Sequence, residues 1–292
     1  MEKSKVYFTK DISSKGLEKI YEKLGVELKG KVAVKLSTGE PGGHNFLNPQ
    51  MIKSLVNRVN GTIVECNTAY PGKRNTTSAH WQTFKEHGFY DIAPCDIMDE
   101  DGDMPIKVEN SLQIKENYVG THLKNYQSML VLSHFKGHMM GGFGGALKNI
   151  SIGIASSRGK IHIHTAGKGT NFDDAFKCVQ DEFLESMADA DKSVIDYLGK
   201  ENMAYINVAN NLSIDCDCDS NPKPPEMADI GIFASLDPVA VDKACVDAVY
   251  NSADTGKASL IKRMEDRHGI HTVDSAEKLG IGSTNYEIIN ID

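Results

Sequence analysis

The sequence predicts an α/β protein: a mainly parallel sheet flanked by helices, in a single elaborated domain over residues 1–292. Apolar strand-like runs alternate with segments of helical period, the pattern of parallel strands joined by helical crossovers. The helix starts between them carry capping side chains. No repeat, low-complexity tract or linker divides the chain.

Lys31 to Ser37 ("KVAVKLS"), Gly61 to Asn67 ("GTIVECN") and Ser128 to Ser133 ("SMLVLS") are the first strands, rich in β-branched and aliphatic residues. Asn48 before Pro49 and Asp237 before Pro238 each place a capping oxygen ahead of a proline at the first helical position. A long helix is expected from Asn171 to Leu198, then strands at Met203 to Ile214 and Asp229 to Ser235, then a helix from Pro238 to about Tyr250. Asn117 to Gln127 and the preceding "DEDGDMP" stretch receive no assignment.

Composition narrows the function. With 292 residues, 40% of them hydrophobic, the chain can bury one large core or two modest ones. A net charge of −8 and a pI near 5.7 argue against a general nucleic-acid binder, which carries a basic face. The opening "MEKSKVYFTK" has no apolar signal region, and no stretch approaches the roughly 20 apolar residues of a membrane span. A soluble cytoplasmic protein with no membrane partner is expected. Its six cysteines then fit reduced thiols or metal ligands better than a disulfide framework.

Polar residues gather after the strands. Thr38 to Gly42 follow the first, Asn67 to Arg74 the second, and His134, Lys136 and His138 the third. Ligands bind beyond the carboxyl ends of parallel strands, so these loops are expected to converge on one crevice. Lys35, Arg74, Lys136 and Lys148 would hold a small anion there, while Glu40 and the histidines His134 and His138 would move protons or bind metal. The glycine run in "KGHMMGGFGGALKN" fits neither the P-loop nor the dinucleotide fingerprint. Its expected roles are flexible glycines facing a ligand at Gly142 and Gly144, at least one with positive φ, and a helix start aiming N–H groups at the anion.

"DCDCDSNPKPP", Asp215 to Pro225, sets Cys216 and Cys218 two apart among acidic neighbours, the other expected site. Both thiolates pointing one way would bind zinc or iron, and "IHIHT", read as extended, would bring His162 and His164 along one face as further ligands. Competing readings are a pair of reduced, partly buried thiols and a solvent-facing His162. Cys66, Cys178 and Cys245 are read as core, Asp237 as a helix cap, Asp242 and Asp247 as solvent-facing, and Trp81 and Phe84 as packing.

Three long segments carry a resemblance: "NTAYPGKRNTTSAHWQTFKEHGF", "KGHMMGGFGGALKNISIGIASSRGK" and "DIGIFASLDPVAVDKACVDAVYN". From about Lys35 to Tyr250 the chain resembles domain of unknown function family 362, whose members are often labelled uncharacterized iron-sulfur center proteins. The resemblance picks out Lys35, Glu40, Asn67 to Arg74, His80, Lys136, His138, Lys148, Asn149, His164, Cys216, Cys218 and Asp237. Many relatives carry a ferredoxin-like cysteine insert after "RGK"; here Lys160 is followed by "IHIHTAGKGTNFDDAFKCVQDEF", which has only Cys178. The expected cofactor is therefore a metal ion rather than an iron-sulfur cluster. Two function classes stay open: a metal-dependent enzyme or redox accessory acting on a small anionic compound, and a non-catalytic metal- or ligand-binding protein for storage, delivery or structure.

Overall fold

A computed structural model describes residues 3–292. The chain runs β1 (Ser4–Thr9), α1 (Ser14–Leu24), β2 (Val32–Lys35), α2 (Pro49–Arg58), β3 (Gly61–Glu65), α3 (Thr77–Glu86) and β4 (Cys95–Ile97). Next come β5 (Asp103–Lys107), β6 (Glu116–Gly120), β7 (Ser128–His134), β8 (Lys136–His138), β9 (Gly142–Gly144), α4 (Ala146–Ser151), α5 (Ser157–His164) and α6 (Gln180–Leu198). It closes with β10 (Met203–Ala209), β11 (Gly231–Ser235), α7 (Pro238–Asn251), α8 (Lys257–Asp266), α9 (Ile270–Lys278) and β12 (Tyr286–Asn290).

Among the described residues, eight strands form one sheet in the order β12-β1-β11-β10-β7-β2-β3-β4. All neighbours are parallel except β11, which runs antiparallel to both β1 and β10. The fold is thus the expected α/β architecture with a mainly parallel sheet. Alternation along β7 shows how both faces are covered. Leu130 and Leu132 pack with Leu17 and Ile20 of α1 and Ile52 of α2, whereas Met129 and Val131 pack with Leu147 of α4 and Val194 of α6.

Four expected elements need correction. The strand foreseen to Ile214 ends at Ala209, and the helix foreseen from Asn171 begins at Gln180, after a short 3-10 turn at Phe172–Lys177. The "IHIHT" segment is helical, because Ser156 caps α5 by accepting from the Gly159 N–H, so a strand-like alternation is overridden by a cap. Asp242, expected in solvent, is fully buried. Residues of α7 are buried on every side, from Val239 to Val249, because the helix is sandwiched by α4, α9 and the sheet. The stretch left unassigned forms the β5–β6 hairpin and a 3-10 turn. No helix among the described residues is long and apolar enough to cross a membrane.

Candidate functional site

A cavity of about 300 Å³ opens where β2, β3 and β7 end, roofed by α4, α5 and the segment around Cys216. Lys35, Arg74, Lys136 and His138 all line it, together with Lys148, Asn149, Gly144, His164, Cys216 and Cys218. So do His134, expected among the polar residues after the third strand, and Asp217, one of the acidic neighbours of the two cysteines, together with Glu65 and Lys160, which the sequence reading did not single out.

Most of these charges are matched. Lys35 lies 3.3 Å from Glu65, and Arg74 reaches Glu40 and Glu65 at 3.1 Å each, all four side chains being buried. Burial works to raise the Glu65 pKa, but Lys35, His80 and Arg74 outweigh it and hold the carboxyl well below the usual range. Asp217 accepts from Lys136 and from His134 at 2.8 Å each. Its pKa is likewise lowered against the effect of burial by those two partners. Lys160 donates to the carbonyls of Ala155 and Cys66.

Lys148 is different. Among the described residues no acceptor lies within hydrogen-bonding distance of its ammonium, although the residue is half-buried and lines the cavity. Burial first, then the charges of Lys136 and Lys35, bring its pKa down to about 7. Counting Lys35, Arg74, Lys136 and Lys160 against Glu40, Glu65 and Asp217 leaves one positive charge over, and two when Lys148 is protonated.

Two histidines present opposite chemistry to the cavity. At His138, the N–H groups of Met140 (3.2 Å) and Gly141 (2.9 Å) both point at Nδ1, so that nitrogen accepts and the proton of the neutral ring sits on Nε2. At His164, Nδ1 faces the Lys160 carbonyl at 2.6 Å and must donate, leaving the Nε2 lone pair free. Burial is the leading reason that both stay neutral: it puts His138 well below its ordinary pKa and His164 at about 4. Lys160 and His164 are four residues apart on α5 and share the face toward the cavity, while His162 turns away and packs edge-on to Tyr118.

Two expected site residues lie outside the cavity, and a third lines it with its amide already committed. Glu40 does not line this cavity; it accepts from the Lys73 N–H, the Tyr70 hydroxyl and Arg74, so its oxygens are committed to holding the loop rather than carrying protons. Gly142 has the expected positive φ of 80° but packs against the backbone of Gly269, outside the cavity, whereas Gly144 lines it. Asn149 donates to the Lys35 carbonyl and the Ser133 hydroxyl, stapling β2 to β7. Nor does the start of α4 offer its N–H groups to a ligand. Ala146 and Leu147 donate to Asp242, whose carboxyl burial pushes up to about 6.

Cys216 and Cys218 are joined as a disulfide, against the expectation of free thiols, because a two-residue spacing in a turn brings the side chains together. Cys216, Cys218 and His138 have donor atoms within 4.8 Å of one another, but His138 Nδ1 is already taken by two backbone N–H groups and its Nε2 carries a proton. His164 stands outside that group. An iron-sulfur cluster does not fit these residues: Cys66 donates its thiol to the Ile154 carbonyl, Cys245 is buried on α7, and no four cysteines gather among the described residues.

The profile of a family described as "Domain of unknown function (DUF362)" matches residues 32–247, a stretch that contains every residue lining the cavity. The chain belongs to that family. No curated protein matches it. Among solved structures, the lactate racemase apoprotein from Thermoanaerobacterium thermosaccharolyticum aligns at 14% identity with a TM-score of 0.48, over 84% of this chain and 57% of that one. A protein from Thermotoga maritima aligns at 14% identity and 0.43, over 81% and 58%. This chain therefore spans a little over half the length of each.

Proposed function

We propose that the cavity is the active site of an enzyme that moves a proton on a small compound bearing a carboxylate or phosphate. The observation that carries this reading is Lys148: among the described residues its ammonium has neither a carboxylate nor a carbonyl partner, in a cavity whose other lysines and arginine are all held by carboxylates or carbonyls and which already carries an excess positive charge. Leaving it so costs folding free energy through desolvation and repulsion, and an anionic ligand supplies the missing charge. Beside it, the His138 N–H and the His164 lone pair give one neutral donor and one neutral acceptor, the equipment for general acid–base chemistry. The volume suits a small metabolite-sized molecule.

The test has two arms. Calorimetry with oxalate and with inorganic phosphate should show binding that Lys148→Met weakens by about tenfold to a hundredfold. Small carboxylates with a C–H beside the carboxyl should then exchange that hydrogen in deuterium oxide, followed by NMR. Binding without exchange for any of them supports instead a non-catalytic ligand-binding protein.

The Cys216–Cys218 pair supports a second reading, a zinc or iron site, in which opening the disulfide in a reducing compartment such as the cytoplasm frees two thiolates on the cavity wall. Thiolates are soft ligands, and His164 Nε2 on the same cavity offers an imidazole lone pair held in place by the Lys160 carbonyl. Metal per chain after anaerobic, reducing purification should fall when both cysteines become serine; an unchanged content removes this reading.

A further inference from the structure

Three features of the cavity combine into more than proton transfer. Among the described residues the Lys148 amine has no hydrogen-bond or ion-pair partner. Its near neighbour Lys136 is pinned by Asp217 and the His134 carbonyl, and the two lysines flank Gly144: a Cβ built there would lie 3.4 Å from Lys148 Cδ and 3.7 Å from Lys136 Cε. The His138 N–H and His164 lone pair line the same space.

We propose that Lys148 is a nucleophile that forms a Schiff base with a small 2-oxo carboxylate. This rests on the reading of the cavity as an anion site and names the substrate class. With Lys148 neutral the cavity still keeps one positive charge over, because Lys160 has only carbonyl partners, and that excess draws a carboxylate and places the adjacent carbonyl carbon against an amine free to react. The nitrogen lone pair attacks that carbon and the C–N bond forms, while the His138 Nε2–H hydrogen-bonds to the carbonyl oxygen and stabilises its growing negative charge. His164 Nε2 takes one proton from the nitrogen and passes it to that oxygen, giving a neutral carbinolamine. The second nitrogen proton follows the same route as the C–O bond breaks, so the oxygen leaves as water, an imine remains and both histidines end neutral; no oxidant or reductant is consumed. A neighbouring ammonium and burial keep a fraction of the Lys148 amine unprotonated near neutral pH, as such a nucleophile requires.

Pyruvate with sodium cyanoborohydride tests it on the whole chain. Intact mass should show one reduced pyruvate per chain, and peptide mapping should place it at Lys148. Trapping there should run at least about tenfold faster than at any other lysine, and acetone, which lacks the carboxylate, should trap at least about tenfold more slowly. Lys148→Met, folded by circular dichroism, should lose the adduct. Oxalate binding measured alongside separates the two ideas. Oxalate bound with no adduct at Lys148 overturns the Schiff base and leaves the anion site standing, whereas absence of both overturns both. An adduct spread over other lysines also overturns it.

Discussion

Lys136 and Lys148 sit on either side of Gly144 and share one cavity, yet they are held in opposite ways. Lys136 has a carboxylate and a carbonyl at 2.8 Å, and Lys148 has neither. The first arrangement completes an ion pair that the fold needs. The second keeps a charge in a costly place, which folding alone does not reward. A buried cation thus reveals its purpose by its partners, and the number of lysines in a pocket says less than which of them is left over.

Removing the counter-ion of the paired lysine should have the largest effect. Asp217→Asn leaves Lys136 and His134 uncompensated in a buried site and should destabilise the protein by about 3–5 kcal/mol in denaturant unfolding. A cost under about 1 kcal/mol would erase the contrast between the two lysines. The pH dependence has a definite sign: the folded pKa of Asp217 is depressed, so its contribution is present above about pH 4 and is lost as pH falls further.

Lys148→Met should behave in reverse. Its unfolding midpoint should equal or exceed that of the parent, since a desolvated, repelled charge is removed, while oxalate affinity falls by about tenfold to a hundredfold. A finer test is titration. Because the Lys148 pKa lies near 7 in the free protein, oxalate should bind more tightly below that pH and weaken as pH rises through it, by at most about tenfold per unit. Lys148→Met should flatten that dependence. The smallest effect is expected for Gly144→Ala. Its methyl meets only ordinary contacts with the two lysine side chains, so thermal stability should hold and affinity should slip a few-fold. Unchanged oxalate binding would detach Gly144 from the site.

Much of this geometry was readable beforehand, because parallel strands deliver their following loops to one edge; Lys35, Arg74, Lys136 and His138 come together for that reason. The counter-ions were harder to see. Glu65 sits inside an apolar strand and Asp217 in an irregular turn, and nothing local ties either to a lysine 30 or 81 positions away. His164 reaches the cavity by helical rather than alternating geometry, and the only local signal for that helix is Ser156, a capping residue whose hydroxyl accepts from the Gly159 N–H. Asp242 shares a helix side with Val239, Cys245 and Val249, which marked it as interior had that face been weighed over its charge. The disulfide is not legible in the sequence, because a reducing compartment argues for free thiols whatever their spacing, while the turn brings the two side chains together.

The ion pairs around the cavity also say something about how the protein is made. Lys35 with Glu65, Arg74 with Glu40, and Lys136 with Asp217 join segments 30, 34 and 81 residues apart. Such separations are closed only after β2, β3 and β7 have docked side by side, which high contact order makes a late and cooperative event. A partly folded chain therefore has no fragmentary version of the pocket, and affinity for an anion should appear all at once during refolding, making a bound ligand a reporter of the completed sheet.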